Sequence, residues 1–506
     1  MSNIPNIKAR MYLGSKLLSL IVLGSLLIGA PSVTLNMSLA VHGDASRAQP
    51  HVLTLAAQQP DTRVNVIVQK RNQNQAVEQR VVRLGGTITK EFTIINAFVA
   101  ELSASAAIAL TEMEDVRWVS LDAPVIESGC DGCVSTANLT AFPSTSVRAD
   151  KVWSISPNSQ GEGITVAVVD SGINSSHPSL KGRVLADVKV SEYQFMGDYY
   201  GHGTFVAGII AGTGDVANGI APGIAPRANL ISVKVTSMAG AASESDVVAG
   251  LQWVYDNRDT YKIRVVNISF NSTLAQPYQT SPVNAACEFL WFNGIVVVVS
   301  AGNNGSATLY PPANDPFVIT VGATDQKGTS SISDDTLANF SAYGVLPNGT
   351  VKPDLVAPGR NLVGPLNSID GILAKLHPAN VISQDYFRMS GTSASAPVVS
   401  GAVALLLQDE PNLTPDQVKH RLMAKANKSW SGYNAEKAGA GYLDTYAAVQ
   451  ATTLKTANSG QIANDLLATA VSKVTNTSVN WSSVNWSSVN WSSVNWSSVN
   501  WSMPQR

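Results

Sequence analysis

The chain has 506 residues, a formal net charge of -2, a charged fraction of 14% and an apolar fraction of 45%. It exceeds the ~250–300 residues at which a single core stops growing, so more than one folding unit is expected. The low, balanced charge excludes the basic phosphate-tracking surface of a nucleic-acid binder, and three cysteines, Cys130, Cys133 and Cys287, are too few for a disulfide framework.

Lys8, Arg10 and Lys16 precede the apolar run Leu17 to Ala30, and small residues follow up to Ser38-Leu39-Ala40. This is the three-part layout of a secretory signal over residues 1–40, with cleavage near Ala40 or a few residues later. Pro31, Thr34 and Asn36 interrupt the run before it reaches the ~20 apolar residues that span a bilayer, so a secreted or extracellular product is expected, with cell-surface association left open.

Val64 to Val68 alternates as a strand, and Gln73 to Leu84 reads as a helix ended by Gly85-Gly86. Thr87 to Glu91 and Ile94 to Glu101 read as strands, Ser103 to Met113 as a helix with a serine cap, and Val116 to Val119 as a last strand. The order βαββαβ is a small ferredoxin-like α+β unit within residues 50–127. Residues 128–146 read as a linker, with Cys130-Asp131-Gly132-Cys133 as a local disulfide or two idle thiols; half a zinc site is the other reading, and it lacks a second ligand pair. A cut in this exposed stretch would start a mature domain between about Glu127 and Arg148.

From Gly163 the pattern changes. Ile164 to Val169, Leu230 to Val235, Val265 to Ile268, Ile295 to Ser300 and Val318 to Val321 are short β-branched runs suited to strands buried on both faces of a parallel sheet. His202 to Ala211, Ser243 to Asn257 and Pro282 to Asn293 read as the helices between them. The prediction is an α/β layered fold over residues 147–452, with ligands outside the carboxyl ends of the strands. Residues 453–478 read as a second linker, and residues 479–502 repeat Val-Asn-Trp-Ser-Ser. Its odd period places successive Trp side chains on opposite faces of a strand, which leaves an exposed, strand-adding tail or a low-complexity end as readings.

Four residues stand out. Asp170 ends the first α/β strand, and His202 starts a helix apolar nearly all round. Ser393 precedes Pro397 at the start of another, and Asn303 follows a strand in Ala301-Gly302-Asn303. Each alone has a plainer reading as a turn, packing or capping residue. Together they supply what hydroxyl attack on a carbonyl requires. That set is a serine nucleophile, a histidine base, a carboxylate that orients the base, and an amide donor for the oxyanion, paired with the Ser393 backbone N–H.

These residues resemble the subtilisin family of serine proteases. The likeness rests on Asp170-Ser171-Gly172 with His177-Pro178-Ser179-Leu180, His202-Gly203-Thr204, Ala301-Gly302-Asn303, Gly391-Thr392-Ser393, Gly223 to Pro226 and Lys352 to Gly359. It implies a three-layer fold with a mostly parallel sheet, and catalytic roles for Asp170, His202, Ser393 and Asn303. It also implies that residues 50–127 are an inhibitory propeptide that aids folding and is then removed. Substrates would be polypeptides bound by strand addition, against a wall at Ser269, Phe270, Asn271 and Ser272 and another near Gly240. Asn271 and Ser272 depart from the family's small glycines there, and Ala394 and Val398 from its Met and His. The family often carries calcium for stability, but no loop here matches its ligands, so no metal residue is assigned and the chemistry requires no cofactor. A monomer is expected, and the partner of the repeats is not identified.

The function that follows is a secreted serine endopeptidase working through an acyl-enzyme and matured from a precursor. The alternatives are a surface-binding or adhesion protein using the Trp-rich repeats on a protease scaffold, and an esterase with the same site.

Overall fold

Alternation within residues 63–121 and unbroken β-branched runs from residue 165 onward build two different sheets. The computed structural model describes residues 43–130, 133–134, 143–155, 159–190, 196–214 and 222–467. The expected export signal, much of the first linker and the pentad repeats lie outside these described residues.

The first sheet is made by α1 (Pro50–Gln58), β1 (Arg63–Lys70), α2 (Ala76–Arg83), β2 (Thr87–Phe92), β3 (Ala97–Ser103), α3 (Ala104–Ala109) and β4 (Val116–Leu121). Its order is β2-β3-β1-β4, with β1 antiparallel to both β3 and β4. Ser103 caps α3 by accepting the Ala106 N–H, as read. Period-2 alternation sends Val66 and Val68 under the helices, with Val52, Val77, Val81 and Leu102. Ile67, between them, faces the other way and joins Phe92, Ile95 and Val99 in the core of the larger unit. The inner strands β1 and β3 are therefore buried on both faces over most of their length, while the edge strand β2 is largely open. Helix α1 escaped the sequence reading because its buried face is only Val52 and Ala56.

The next strand, β5 (Pro124–Glu127), leaves this sheet. There follow β6 (Thr165–Asp170), β7 (Val184–Lys189), α4 (His202–Ala211), β8 (Asn229–Lys234), β9 (Ala242–Ser243), α5 (Glu244–Tyr261), β10 (Ile263–Ile268), β11 (Phe270–Ser272), α6 (Pro282–Phe292), β12 (Val296–Ser300), β13 (Ile319–Asp325), β14 (Thr336–Leu337), β15 (Leu355–Pro358) and α7 (Thr392–Asp409). The large sheet runs β14-β13-β12-β10-β6-β8-β7, with β15 beside β13, and β14 alone is antiparallel. All five strands expected from apolar runs are present. Strand β7 was not expected, since its residues are mostly half-buried and carry no apolar run.

Strand β6 separates β8 and β7 on one side from β10, β12 and β13 on the other. Its carboxyl end is thus the point where strand order reverses, the crevice in which open α/β sheets bind ligands. Helix α7 packs against β10, β12, β13 and β15, and every residue from Thr392 to Leu407 is buried. Pro397 lies inside this helix as its sixth residue, past the four N–H groups that are unpaired at any helix start, and the Ser393 carbonyl it cannot bond accepts the Ser269 hydroxyl at 3.3 Å instead.

The segment read as a second linker is packed as far as Leu467. Ala463, Leu466 and Leu467 are buried, and Gln69 Nε2 of β1 donates to the Leu466 carbonyl at 2.6 Å. Arg117 donates to the Asp465 carbonyl at 2.8 Å. Such a strap is held by side chains gripping its carbonyls, which leaves no apolar period to read. Among the described residues, no helix is long and apolar enough to cross a membrane.

Candidate active site

Asp170 is the last residue of β6 and His202 the first of α4. Helix α4 can begin against the end of β6 because residue 203 is glycine: a Cβ there would lie 2.1 Å from the Gly172 carbonyl oxygen. The resulting contact puts His202 Nδ1 2.8 Å from Asp170 Oδ1 and 3.1 Å from Oδ2. Both residues are buried, so this pair is shielded from water.

Asp198 ties the two elements together. Its Oδ1 accepts the Gly201 N–H at 2.7 Å and the Ser171 hydroxyl at 3.0 Å, and its Oδ2 accepts the Thr204 N–H at 2.9 Å and hydroxyl at 2.6 Å. Ser171 Oγ in turn accepts the Gly203 N–H at 2.9 Å. One carboxylate thus fixes the residue after Asp170 and the residues around His202. Sequence reasoning missed Asp198; its place three residues before Gly201, the spacing at which an aspartate accepts a backbone N–H ahead of a helix, was the available signal.

Ser393 is the second residue of α7, and its side chain does not cap the helix; Gly391 occupies the cap position, with φ 151°. The capping alternative for Ser393 is therefore not what the structure contains. Ser393 Oγ and His202 Nε2 are both buried and hydrogen bond to nothing, which leaves the two atoms that a hydroxyl nucleophile and its base would use uncommitted.

Asn303, just after β12, is oriented by its own oxygen: Oδ1 accepts the Thr392 N–H at 2.9 Å and hydroxyl at 3.0 Å. Its Nδ2 consequently points the other way and donates to the carbonyl oxygen of Ser128. The Ser393 N–H donates to the same oxygen at 3.1 Å. One carbonyl of this chain therefore accepts from both donors that would hold an oxyanion. Gly391 makes room for it, since a Cβ there would come within 2.4 Å of that oxygen.

The Ser128 carbonyl is delivered by β5, the middle strand of a three-stranded sheet β11-β5-β9. Glu127, Ile126 and Val125 pair with Phe270, Asn271 and Ser272 in antiparallel register, and Val125 and Pro124 pair with Ala242 and Ser243 on the other edge. The Ser128 N–H continues the ladder to the Ser269 carbonyl at 2.9 Å. Beyond it, the Cys130 N–H donates to the Ser390 carbonyl at 2.8 Å. Ser269, Phe270 and Asn271 thus line one side of the seated strand. Gly240, expected near the other wall, turns with φ 81° against the Tyr200 ring, and the other edge of the strand pairs with Ala242–Ser243. Ser128, expected to open a loose linker, is only 3% exposed. A four-residue strand paired across some 140 residues has no local signature, which is why it read as the end of one unit.

Seating β5 brings Glu127 Oε2 to 4.0 Å from His202 Nδ1. Burial alone would pull the imidazolium pKa down. Asp170 first, then Glu127, and also Asp198 outweigh it and raise His202 to about 9. Among the described residues, Glu127, Asp170 and His202 form the one cluster with the spacing of a metal site. An imidazole and two carboxylates do not match the six to eight oxygens calcium takes, and Asp170 is already bonded to the ring. Cys130 and Cys133 form a disulfide, and Cys287 is a buried free thiol whose pKa burial pushes up.

The model of the subtilase family matches residues 161–443. Serine protease AprX of Bacillus subtilis (strain 168) is 36% identical over 370 residues, 71% of this chain and 80% of that protein. Subtilisin E of the same organism is 29% identical over 423 residues, 82% and 94% of the two chains. The crystal structure of fervidolysin from Fervidobacterium pennivorans, a keratinolytic enzyme related to subtilisin, has the same fold at a TM-score of 0.61 and 24% identity; the match covers 79% of this chain and 62% of that one. With a family match over more than half its length and a set of buried polar groups gathered around one carbonyl, this chain belongs to the subtilase family and is a serine endopeptidase.

Proposed function

We propose that the chain is an exported endopeptidase made as a precursor, that Asp170, His202, Ser393 and Asn303 carry its chemistry, and that its first cut falls on its own Ser128–Gly129 bond. The observation that carries this reading is the Ser128 carbonyl held by Asn303 Nδ2 and the Ser393 N–H. The three-part layout of residues 1–40 supports export.

In this reading Ser393 Oγ bonds to the Ser128 carbonyl carbon while its proton passes to His202 Nε2. The carbonyl oxygen gains charge where the two donors already point, so no reorganisation is needed at that moment. Asp170 holds the ring with Nδ1 toward itself and stabilises the imidazolium. The C–N bond then breaks, His202 returns the proton to the Gly129 nitrogen, and the acyl group stays on Ser393. A water attacking the ester, with His202 again as base, releases the Ser128 carboxylate and restores the hydroxyl. The same steps serve any polypeptide that lies along β11 and β9 once residues up to Ser128 have left. No cofactor enters them.

Wild type and Ser393→Ala, expressed in a protease-deficient host, test this by intact mass and N-terminal sequencing. Wild type should yield a product beginning at Gly129, and Ser393→Ala should remain joined through Ser128. Equal processing of both proteins would overturn self-cleavage.

A further inference from the structure

We infer that the pocket for the side chain on the acyl side of the cut bond is built for a serine-sized hydroxyl, and that the enzyme cleaves after serine in preference to apolar residues. This rests on the endopeptidase reading above. It goes beyond that reading by naming the residue the site selects.

The pocket is seen with its occupant. Ser128 Oγ donates to Asn271 Oδ1 and accepts from Ser300 Oγ at 2.8 Å. Asn271 is 5% exposed, and Ser128 and Ser300 are 3% and 0% exposed, so the hydroxyl chain is out of reach of water. The orientation of Asn271 is fixed independently, because its Nδ2 donates to the Ser300 carbonyl at 3.2 Å. Oδ1 is therefore the face it offers the occupant. Gly302 closes the back, where a Cβ would lie 3.3 Å from that oxygen. Both walls belong to elements already fixed, Asn271 in the ladder of β11 and Ser300 at the end of β12.

This arrangement discriminates in two ways. An alanine leaves one buried acceptor and one buried hydroxyl without partners, and a site built to bond a hydroxyl rejects the analogue that lacks it. A phenylalanine must in addition displace the Asn271 side chain, whose amide is anchored. The sequence carries the device as Asn271 and Ser300, neither of which belongs to the attacking group or its base.

The full chain, expressed and allowed to mature, would be given quenched peptides that copy Pro124–Glu127, then Ser, Ala or Phe, then Gly-Ser. Cut sites in denatured casein would be mapped by mass spectrometry alongside. The expected kcat/KM for the Ser peptide exceeds that for Ala by on the order of 10- to 100-fold and that for Phe by at least as much, and casein cuts fall mainly after serine. Asn271→Gly should lower the Ser rate and raise the Phe rate. Ser300→Ala, which leaves the wall in place, should narrow the Ser-to-Ala ratio and serves if Asn271→Gly does not mature. Casein digested with cuts after large apolar residues, or with no preference, overturns this inference and leaves the endopeptidase reading standing. Casein and all peptides left intact overturn both.

Discussion

The two arms that meet at the Ser128 carbonyl are held very differently. On the acyl side, Pro124 to Ser128 lies between two strands, with Val125 buried at 5% exposure and backbone bonds to both edges. On the other side, among the described residues, the Cys130 N–H bonds to Ser390 and the disulfide rests against Ala323, Ala338 and Phe340. The difference teaches which product stays. A cut between the arms would free a weakly held amine, while the strand carrying the new carboxylate keeps its ladder and blocks the cleft. On the proposed cut, retention by strand pairing and release by cleavage would fall to opposite sides of one bond.

The sharpest way to break this contrast is to disturb the point where the arms join. Gly391→Ala places a methyl group against the Ser128 oxygen, so self-cleavage should slow by about 10²–10³, the scale of losing one oxyanion donor. The measure is the rate of precursor loss after refolding by dilution, with circular dichroism to show that the fold is kept. Next, Val125→Asp puts a carboxylate in a buried position of the tight arm. At a cost of about 3 kcal/mol, the severed leader should bind roughly 100-fold more weakly, read by inhibition of the mature enzyme with added leader. A rate unchanged in the first case, or an affinity unchanged in the second, would mean that β5 is not seated as described.

A smaller effect tests the charge that the tight arm brings with it. His202 must be neutral to take a proton. With its pKa raised to about 9 in the seated state, self-cleavage should speed up as pH rises through that value. The stabilisation from the charged pair runs in the opposite sense: it is complete below the ordinary 6.5 of histidine and lost as pH climbs through about 9. Glu127→Gln removes one of the carboxylates that hold the proton, so the half-maximal pH for self-cleavage should fall, while Asp170 still keeps it above the ordinary histidine value. A pH profile that does not move would remove Glu127 from the account. The smallest effect belongs to the loose arm. Cys130→Ser with Cys133→Ser should change leader affinity by less than about threefold, roughly 0.6 kcal/mol, in the same inhibition assay.

Much of this was legible in the chain. Asp170, His202, Asn303 and Ser393 stand out in the sequence because each sits at a strand end or helix start that local patterns mark, and the structure places them there. The five parallel strands announced themselves as β-branched runs, since burial on both faces leaves an unbroken apolar signature. The rest depends on distant partners. Strand β9 is two residues long, and β5 earns its conformation from Phe270 to Ser272, so neither has a period to detect. Asp198 looks like any loop carboxylate until Thr204, Gly201 and Ser171 are seen around it. The strap over Asn464 to Leu467 is held through its carbonyls by Gln69 and Arg117, and a carbonyl has no letter in the sequence. The edge that pairs with Val125 and Pro124 lies two residues beyond Gly240, at Ala242–Ser243, past a turn closed by the Ser237 N–H on the Ala241 carbonyl, and a hydrogen bond of that kind leaves no mark in the sequence.

Under the proposed self-cleavage, the seated strand would also tie the state of the cleft to its surroundings. While Ser128 and Gly129 remain joined, the segment in the cleft is part of the same molecule, and its local concentration is fixed by the chain whatever the surroundings contain. Once the proposed cut separates them, occupancy would follow mass action, and the volume available to the protein would decide how much of the cleft stays filled. Crowded precursors would stay plugged after cutting themselves, and the same molecules diluted beyond a cell would open, with no further partner needed.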